Sequence, residues 1–285
     1  MTRIGLAVHR FRPDALAAAR SLAAYCDERG IDVVAPEGDL GAIATETVVS
    51  GDMSGVDLLV SIGGDGTMLR AVGSLGGLPV PVMGVNVGTL GYLASVDADR
   101  LLEAIETFLS GEAGTDYDLD VRMLLEVSVW TKGARLSHHL ALNEVALEKK
   151  EAGHTVRLAV DIDRERFTTF VADGLIVATP TGSTAYSLSA RGPILSPRLR
   201  AMLLTPLSPH MLFDRSMVLD PSESVRIEIG GHRDVHIATD GQWTHTLVPG
   251  DVVEVRAADE TARFVRFEQS RFHRTLKTKF GLEDR

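Results

Sequence analysis

Cysteine is almost missing from this 285-residue chain: Cys26 stands alone, so an internal disulfide is excluded. It falls on the apolar side of a helix pattern, which predicts a small core residue. Positive charge is also in short supply, with 29 Lys and Arg against 39 Asp and Glu and a net charge of −10. That balance argues against a dedicated binder of nucleic acid or anionic membrane. A nucleotide ligand stays open, because phosphates need only a local site. No apolar run reaches about 18 residues, and Met1-Thr2-Arg3-Ile4 leads straight into a strand pattern. Neither a membrane span nor a signal peptide is expected, and the cytoplasm is the expected compartment. Internal repeats, coiled-coil heptads and low-complexity linkers are lacking too. What is present is ordinary for a soluble globular protein, 45% hydrophobic and 24% charged, with length for one large or two ordinary domains.

Ile4-Gly5-Leu6-Ala7-Val8 is an uncharged strand pattern. Pro13 suits the first position of a helix, Leu16, Ala19, Leu22, Ala23 and Cys26 follow at helical spacing, and Gly30 is the stop. Further strand patterns occupy 31–34, 57–62 and 80–86. A later helix carries Leu101, Leu102, Ile105, Phe108 and Leu109 on one face and ends near Gly111. Residues 37–56 are acidic and glycine-bearing, and a surface excursion is expected there. Strands alternating with helices imply a doubly wound parallel sheet, whose ligands gather at the carboxyl ends of the strands.

Beyond 121 the pattern turns to short strands, at 124–130, 156–162, 167–171, 175–178, 225–229, 252–257 and 263–267. These imply a β-rich, antiparallel, sandwich-like domain. Residues 270–280 read as a helix. The expected organisation is an α/β N-terminal domain over 1–115 and a β-rich domain over 116–267. A C-terminal helix over 268–285 either returns to the first domain or braces the end.

Chemistry concentrates in a few places. Gly63-Gly64-Asp65-Gly66-Thr67 follows a strand and precedes a helix pattern, the arrangement of an anion site in which glycine lets backbone N–H groups approach a ligand. Asp65 would repel phosphate unless it holds a metal or takes a proton; the plain alternative is an ordinary strand-to-helix turn. Gly88-Thr89-Leu90-Gly91-Tyr92 is a second glycine loop, its tyrosine either against a base or at a rim. Asn143-Glu144 interrupts an apolar stretch and offers donors and acceptors to ribose hydroxyls or a base edge, or else forms a bulge with solvated side chains. Asp173 lies between apolar runs, so its carboxylate needs hydrogen-bond partners or a cation. Thr179-Pro180-Thr181-Gly182-Ser183-Thr184-Ala185-Tyr186-Ser187-Leu188-Ser189 has hydroxyls, helix-start amides and one ring, which suit a sugar-phosphate, with Ser183 or Thr184 as N-cap. His138-His139 would face opposite sides of a strand, and His232 and His236 lie in a segment read as extended, so neither pair is a metal site.

The order and spacing of the Gly-Gly-Asp-Gly-Thr turn, Asn143-Glu144, Asp173-Gly174 and the block 179–189 resemble the signature of the NAD kinase family. The turn alone is shared with diacylglycerol and sphingosine kinases, whereas the Thr-Pro-Thr-Gly-Ser-Thr-Ala-Tyr-Ser block is far more restrictive. The resemblance implies transfer of a γ-phosphoryl, from ATP or another donor such as polyphosphate, to the 2′-hydroxyl of the adenosine ribose of NAD, giving NADP. It implies Asp65 as proton acceptor, with Gly63, Gly64 and Thr67 at the nucleotide phosphates together with Mg²⁺ or another divalent metal. Gly66, Arg70, Asn143, Glu144, His154, Asp173, Thr184, Ala185, Tyr186, Ser187, Leu188, Ser189 and Gln242 are implied to line the NAD site. A homodimer or homotetramer is implied as well. Two departures stand out: Arg191-Gly192-Pro193 replaces the family's Gly-Gly-Pro, and Val171 and His154 stand where a basic residue is common. The second leaves the choice between NAD and NADH open. A lipid or other small-molecule kinase and a non-catalytic NAD-binding regulator are the competing readings.

Overall fold

The computed structural model describes residues 2–43, 45–88, 91–268 and 272–282. They form two compact units, Met1–Val121 with Ala262–Arg285, and Arg122–Thr261. These divisions cut two long strands. The expected divisions at 115/116 and 267/268 fall outside those strands, where the residue pattern changes.

In the first unit β1 (Arg3–Val8), α1 (Pro13–Asp27), β2 (Asp32–Ala35), α2 (Glu37–Ile43), β3 (Val48–Ser50), β4 (Leu58–Gly63), α3 (Asp65–Ser74), β5 (Pro81–Asn86), β6 (Val96–Asp97) and α4 (Leu101–Ser110) follow one another. The strands run parallel in the order β3-β2-β1-β4-β5, with β6 beside β5. Every residue of β4 is buried, as expected of a central parallel strand covered on both faces. Ile4, Leu6, Val60 and Ile62 share a core with Ala15, Ala19, Leu22 and Cys26 of α1, so the lone cysteine is a packing residue. Pro13 opens α1 as its missing N–H allows. Val8 pairs with Ile62 and Gly63 with Asn86, which brings the carboxyl ends of β1, β4 and β5 side by side.

Residues 37–56 correct the expected surface excursion, since they supply α2 and the sheet strand β3. The acidic content misled because Asp39 is fully buried, held by Arg10 and Arg70 rather than by water.

The second unit contains most of β7 (Asp118–Thr131), then β8 (Ala134–Ala141), β9 (Glu144–Lys149), β10 (Val156–Ile162), β11 (Glu165–Ala172), β12 (Gly174–Ala178), the short helix α5 (Tyr186–Ser189), β13 (Met202–Leu207), β14 (Met217–Leu219), β15 (Ser224–Gly230), β16 (Val235–Thr239), β17 (Gln242–Leu247) and most of β18 (Val252–Arg266). One antiparallel sheet runs β11-β10-β15-β18, with β7 beside β18 and β8, and the other runs β14-β13-β12-β9-β16-β17. β15 alternates buried and half-buried residues, the pattern of a sheet with one face on a core. That core takes Val127, Leu158 and Ile227 from the first sheet and Leu147, Val177 and Ile237 from the second, which makes the unit a sandwich. Residues 252–257 and 263–267, expected as separate strands, belong to the single strand β18. The exposed Asp259 and Glu260 between them look like a loop in sequence but lie within the strand.

The last part of β18 returns to the first unit, where Arg263 and Phe264 pair in parallel with Pro81 and Val82. The C-terminal helix α6 spans Phe272–Lys279. Ser270 and Arg271 of the expected helix lie outside the described residues, as do Thr89 and Leu90 of the second glycine loop. No helix among the described residues is long and apolar enough to cross a membrane.

Candidate active site

At the end of β4 the chain turns sharply into α3. A Cβ on Gly63 would overlap the Thr67 hydroxyl and come within 3.1 Å of His9 Cβ, so this glycine makes the turn possible. Gly64 and Gly66 are different: among the described residues, no atom beyond their own chain neighbours and helix backbone lies within 4 Å of the place where their Cβ would stand. No side chain of the described residues packs on them, and their backbone lies at a helix start, where amides lack intrahelical partners and suit an anionic ligand.

Asp65 is the first residue of α3, and its half-buried carboxylate does not swing free. Oδ2 accepts the Tyr92 N–H at 2.9 Å and Oδ1 the Leu93 N–H at 3.1 Å. Gly91 presses so closely on the carboxylate that a Cβ there would overlap Oδ1. Arg266 steadies the same segment from behind, its Nη1 donating to the Leu93 carbonyl at 2.8 Å. Phe272 lies 6.3 Å from the Tyr92 ring and Lys279 Nζ 4.7 Å above it.

Three arginines stand on the segments that follow β1 and β4. The Arg12 guanidinium lies against Gly88, 2.5 Å from the position of a Cβ there, and Gly88 has φ +107°, open only to glycine. Arg10 Nε bonds Asp39 at 2.6 Å. Arg70 Nη1 bonds both Asp39 oxygens at 2.8 Å, and its Nη2 bonds the Val8 carbonyl at 2.6 Å. Burial alone would raise the Asp39 carboxyl, but the bonds from Arg70, Arg10 and the Val8 N–H bring it below its ordinary value. Asn86, level with Gly63, keeps a buried Oδ1 with no hydrogen-bond partner among the described residues.

In the second unit, Asp240 organises the Asn143-Glu144 corner. Its carboxylate accepts the N–H groups of Leu142, Asn143 and Glu144 at 2.8, 2.7 and 3.2 Å. Burial still raises its carboxyl above the ordinary range, outweighing those three bonds. Glu144 is only 6% exposed, and its Oε2 has no hydrogen-bond partner among the described residues. Burial, then the Asp240 charge, pushes the Glu144 carboxyl up to about 7, against the Tyr186 N–H bond that lowers it.

The hydroxyl-rich block packs on this corner. Thr179 is fully buried, donates to the Leu142 carbonyl at 2.5 Å and accepts the Gly182 N–H at 3.0 Å. Neither Ser183 nor Thr184 caps a helix, contrary to expectation. Their hydroxyls point backward, to the carbonyls of Pro180 at 2.7 Å and Thr181 at 3.3 Å. Ser187 is buried against the Thr205 hydroxyl at 3.1 Å. Gly182 lies directly on the Asn143 carbonyl, where a Cβ would overlap it. Tyr186 stays half-buried, its hydroxyl donating to Glu148 Oε1 at 2.6 Å. Burial, that bond and the charges of Glu148, Asp173 and Glu144 raise its phenol well above the ordinary value. Asp173 finds its cation in Lys149, whose Nζ lies 2.6 Å away.

The ATP-NAD kinase N-terminal domain family matches residues 4–113, and the ATP-NAD kinase C-terminal domain family matches residues 142–267. The NAD kinase of Syntrophotalea carbinolica is 38% identical over 290 residues, with all of both chains covered. That of Heliobacterium modesticaldum is 36% identical over 98% of each chain. The chain belongs to the NAD kinase family. Yeast NADH kinase, solved with NADH, superposes with a TM-score of 0.91 at 25% identity, covering 100% of this chain and 89% of its own. An Archaeoglobus fulgidus NAD kinase solved with ATP shares the fold, with a TM-score of 0.70 at 22% identity over 99% and 100% of the two chains.

Within this family member each unit gathers its own share of the expected residues. Gly63, Gly64, Asp65, Gly66 and Thr67 form one turn, while Arg70, a turn further along α3, is committed to Asp39 and Val8. Asn143, Glu144 and Tyr186 meet around the Asp240 corner, Thr184 and Ala185 bond back to Thr181 and Gly182, and Asp173 stands within electrostatic reach of Tyr186. His154 is exposed in the turn before β10, Gln242 is exposed at the start of β17, and Leu188 and Ser189 complete α5. Sequence reasoning missed Asp39, Arg12, Asn86, Lys149, Glu148 and Asp240. Only Asp240 left a local signal: Asp240-Gly241 between two strands is a hairpin turn, and both residues have positive φ.

Proposed function

We infer that this chain transfers the γ-phosphoryl of ATP to the 2′-hydroxyl of the adenosine ribose of NAD, giving NADP. The bond from the γ-phosphorus to the β-bridging oxygen breaks, a bond to the 2′-oxygen forms, and the hydroxyl proton passes to Asp65. Asp65 carries the reading. It is a carboxylate held by two amides beside two glycines that no side chain of the described residues covers. Its fixed position lets it orient one hydroxyl, and phosphoryl transfer gains most from such positioning and from charge neutralisation.

Gly63, Gly64 and Thr67, with α3's first amides, take the donor's phosphates, and Arg12 adds charge beside them. Asn143, Glu144, Asp173, the run 184–189, His154, Gln242, Gly66 and Arg70 bind NAD. The unit carrying β9, β12 and α5 is thus the NAD-binding domain, and the α/β unit supplies the phosphate turn. Mg²⁺ usually needs one or two carboxylates and otherwise phosphate oxygens and water; Asp65 fits that need, and the ion would neutralise phosphate charge. Polyphosphate as an alternative donor, a homodimer or homotetramer, and a cytoplasmic setting belong to the same reading.

The test is direct: purified protein, Mg²⁺, NAD or NADH, and ATP or polyphosphate, with NADP or NADPH followed in a coupled dehydrogenase assay. Product formation is expected. Phosphorylation of a lipid hydroxyl with no NADP formed would transfer the chain to the lipid-kinase reading, and NAD binding without turnover would make it a regulator.

A further inference from the structure

Tyr186 stands among Glu148, Asp173 and Glu144, and all three charges raise the affinity of its phenol for its proton. Glu148 is satisfied by that phenol. Asp173 is answered by Lys149 in two ways: Nζ lies 2.6 Å from Oδ1, and the Lys149 backbone N–H donates to the Asp173 carbonyl at 2.8 Å. The main-chain bond fixes the two residues against one another at the start of the β9–β12 pairing, where Gly174 sits opposite Glu148. Both side chains keep solvent access, 27% for Lys149 and 34% for Asp173. A pair so exposed adds little to stability, typically about 0–1 kcal/mol. Its effect is on the charge presented beside Tyr186.

A dinucleotide offers an anionic diphosphate, a neutral adenine, and a nicotinamide ring that is cationic when oxidised and neutral when reduced. A group of carboxylates repels the first and discriminates between the two forms of the third. We propose that Lys149 sets the choice between NAD and NADH, by cancelling the charge with which Asp173 would otherwise favour the oxidised ring. With Lys149 in place the pair carries no net charge and the reduced ring suffers no handicap. This rests on the reading of Asp173 and Tyr186 as dinucleotide-binding.

The experiment compares kcat/KM for NAD and for NADH in the intact protein and its variants. The diphosphate, adenine and riboses are common to both substrates, so the ratio isolates the ring's charge. Lys149→Met is expected to raise the NAD-to-NADH ratio roughly five- to tenfold, and Lys149→Gln to do the same should the methionine variant fold poorly. Lys149→Arg keeps the original ratio. A structural role alone would lower both rates together, and an unmoved ratio overturns the proposal. Asp173→Asn separates the two levels. Unchanged KM for both substrates puts Asp173 outside the site and removes the proposal with that reading. A raised KM there, with the ratio unmoved in Lys149→Met, overturns the proposal alone.

Discussion

In the turn 63–67 of the first unit, no side chain of the described residues packs where a Cβ of Gly64 or Gly66 would stand, and the carboxylate between them is held by two amides from a distant segment. In the block 179–189 of the second unit, Thr179, Ser183, Thr184 and Ser187 spend their hydroxyls on the protein's own groups, and Gly182 is pressed against a carbonyl. The first stretch presents its backbone outward; the second folds its polar groups inward to build a wall from which Tyr186 projects. Two motifs of similar composition therefore differ in kind. One is a contact surface and the other is the scaffold of a contact surface, and substitutions should separate them.

The largest effect is expected at Asp65. Asp65→Asn should lower kcat by about 10²–10⁴, the usual contribution of general-base catalysis, while NAD affinity is retained, as measured by steady-state kinetics and calorimetry. The amide must turn one NH₂ toward the Tyr92 or Leu93 N–H, so a thermal melt belongs in the same experiment. An unchanged kcat would remove Asp65 from the chemistry and reduce the turn to an ordinary strand-to-helix connection.

Gly182→Ala comes next and reports on the scaffold. Its Cβ would collide with the Asn143 carbonyl, and backbone cannot step aside as a flexible side chain can. A loss of about 2–4 kcal/mol in urea denaturation is expected, together with a raised KM for NAD because Asn143 moves. A loss confined to kcat, with stability intact, would mean that this glycine faces ligand as Gly66 does.

How much of this contrast could be read beforehand follows from the range of the forces involved. β1, β4, α1 and the glycine turn are legible because apolar periodicity and glycine spacing are local. The burial of Asp39 was not, since acidity reads as solvation until Arg10 and Arg70 arrive from 29 and 31 residues away. The Asp240 hairpin could be anticipated from Asp-Gly between strands. Its grip on the Leu142 amide, across 98 residues, left no trace in either neighbourhood. The hydroxyls of 179–189 were visible as a cluster, but whether they face a ligand or the protein depends on carbonyls supplied by Leu142 and Leu195.

Glu144 gives the scaffold a pH signature. Burial first, and the Asp240 charge second, raise its carboxyl from 4.5 to about 7. The folded chain then keeps a proton that the unfolded chain releases, so the associated stability is full below about 4.5 and is lost as the pH rises through about 7. Its size is of the order of 3 kcal/mol. Glu144→Gln should flatten the fall in stability over that window, seen in denaturation midpoints taken at several pH values. An identical slope in the variant would place the titration elsewhere.

The smallest change in stability is expected at Gly66, and it brings out the difference between the two stretches most directly. A methyl group there meets no atom of the described residues within 4 Å outside its own helix, and alanine suits the first turn of α3 better than glycine does. Gly66→Ala should therefore leave the protein unchanged or more stable by about 0.5–1 kcal/mol. The same methyl would stand where a nucleotide approaches the backbone, so KM for ATP or NAD should rise about tenfold, equivalent to about 1.4 kcal/mol of binding. Stability and binding moving in opposite directions is the mark of a glycine kept bare for a ligand. If KM holds while stability rises, the open space over Gly66 is only solvent, and the donor's phosphates must be sought nearer Arg12 and Gly88.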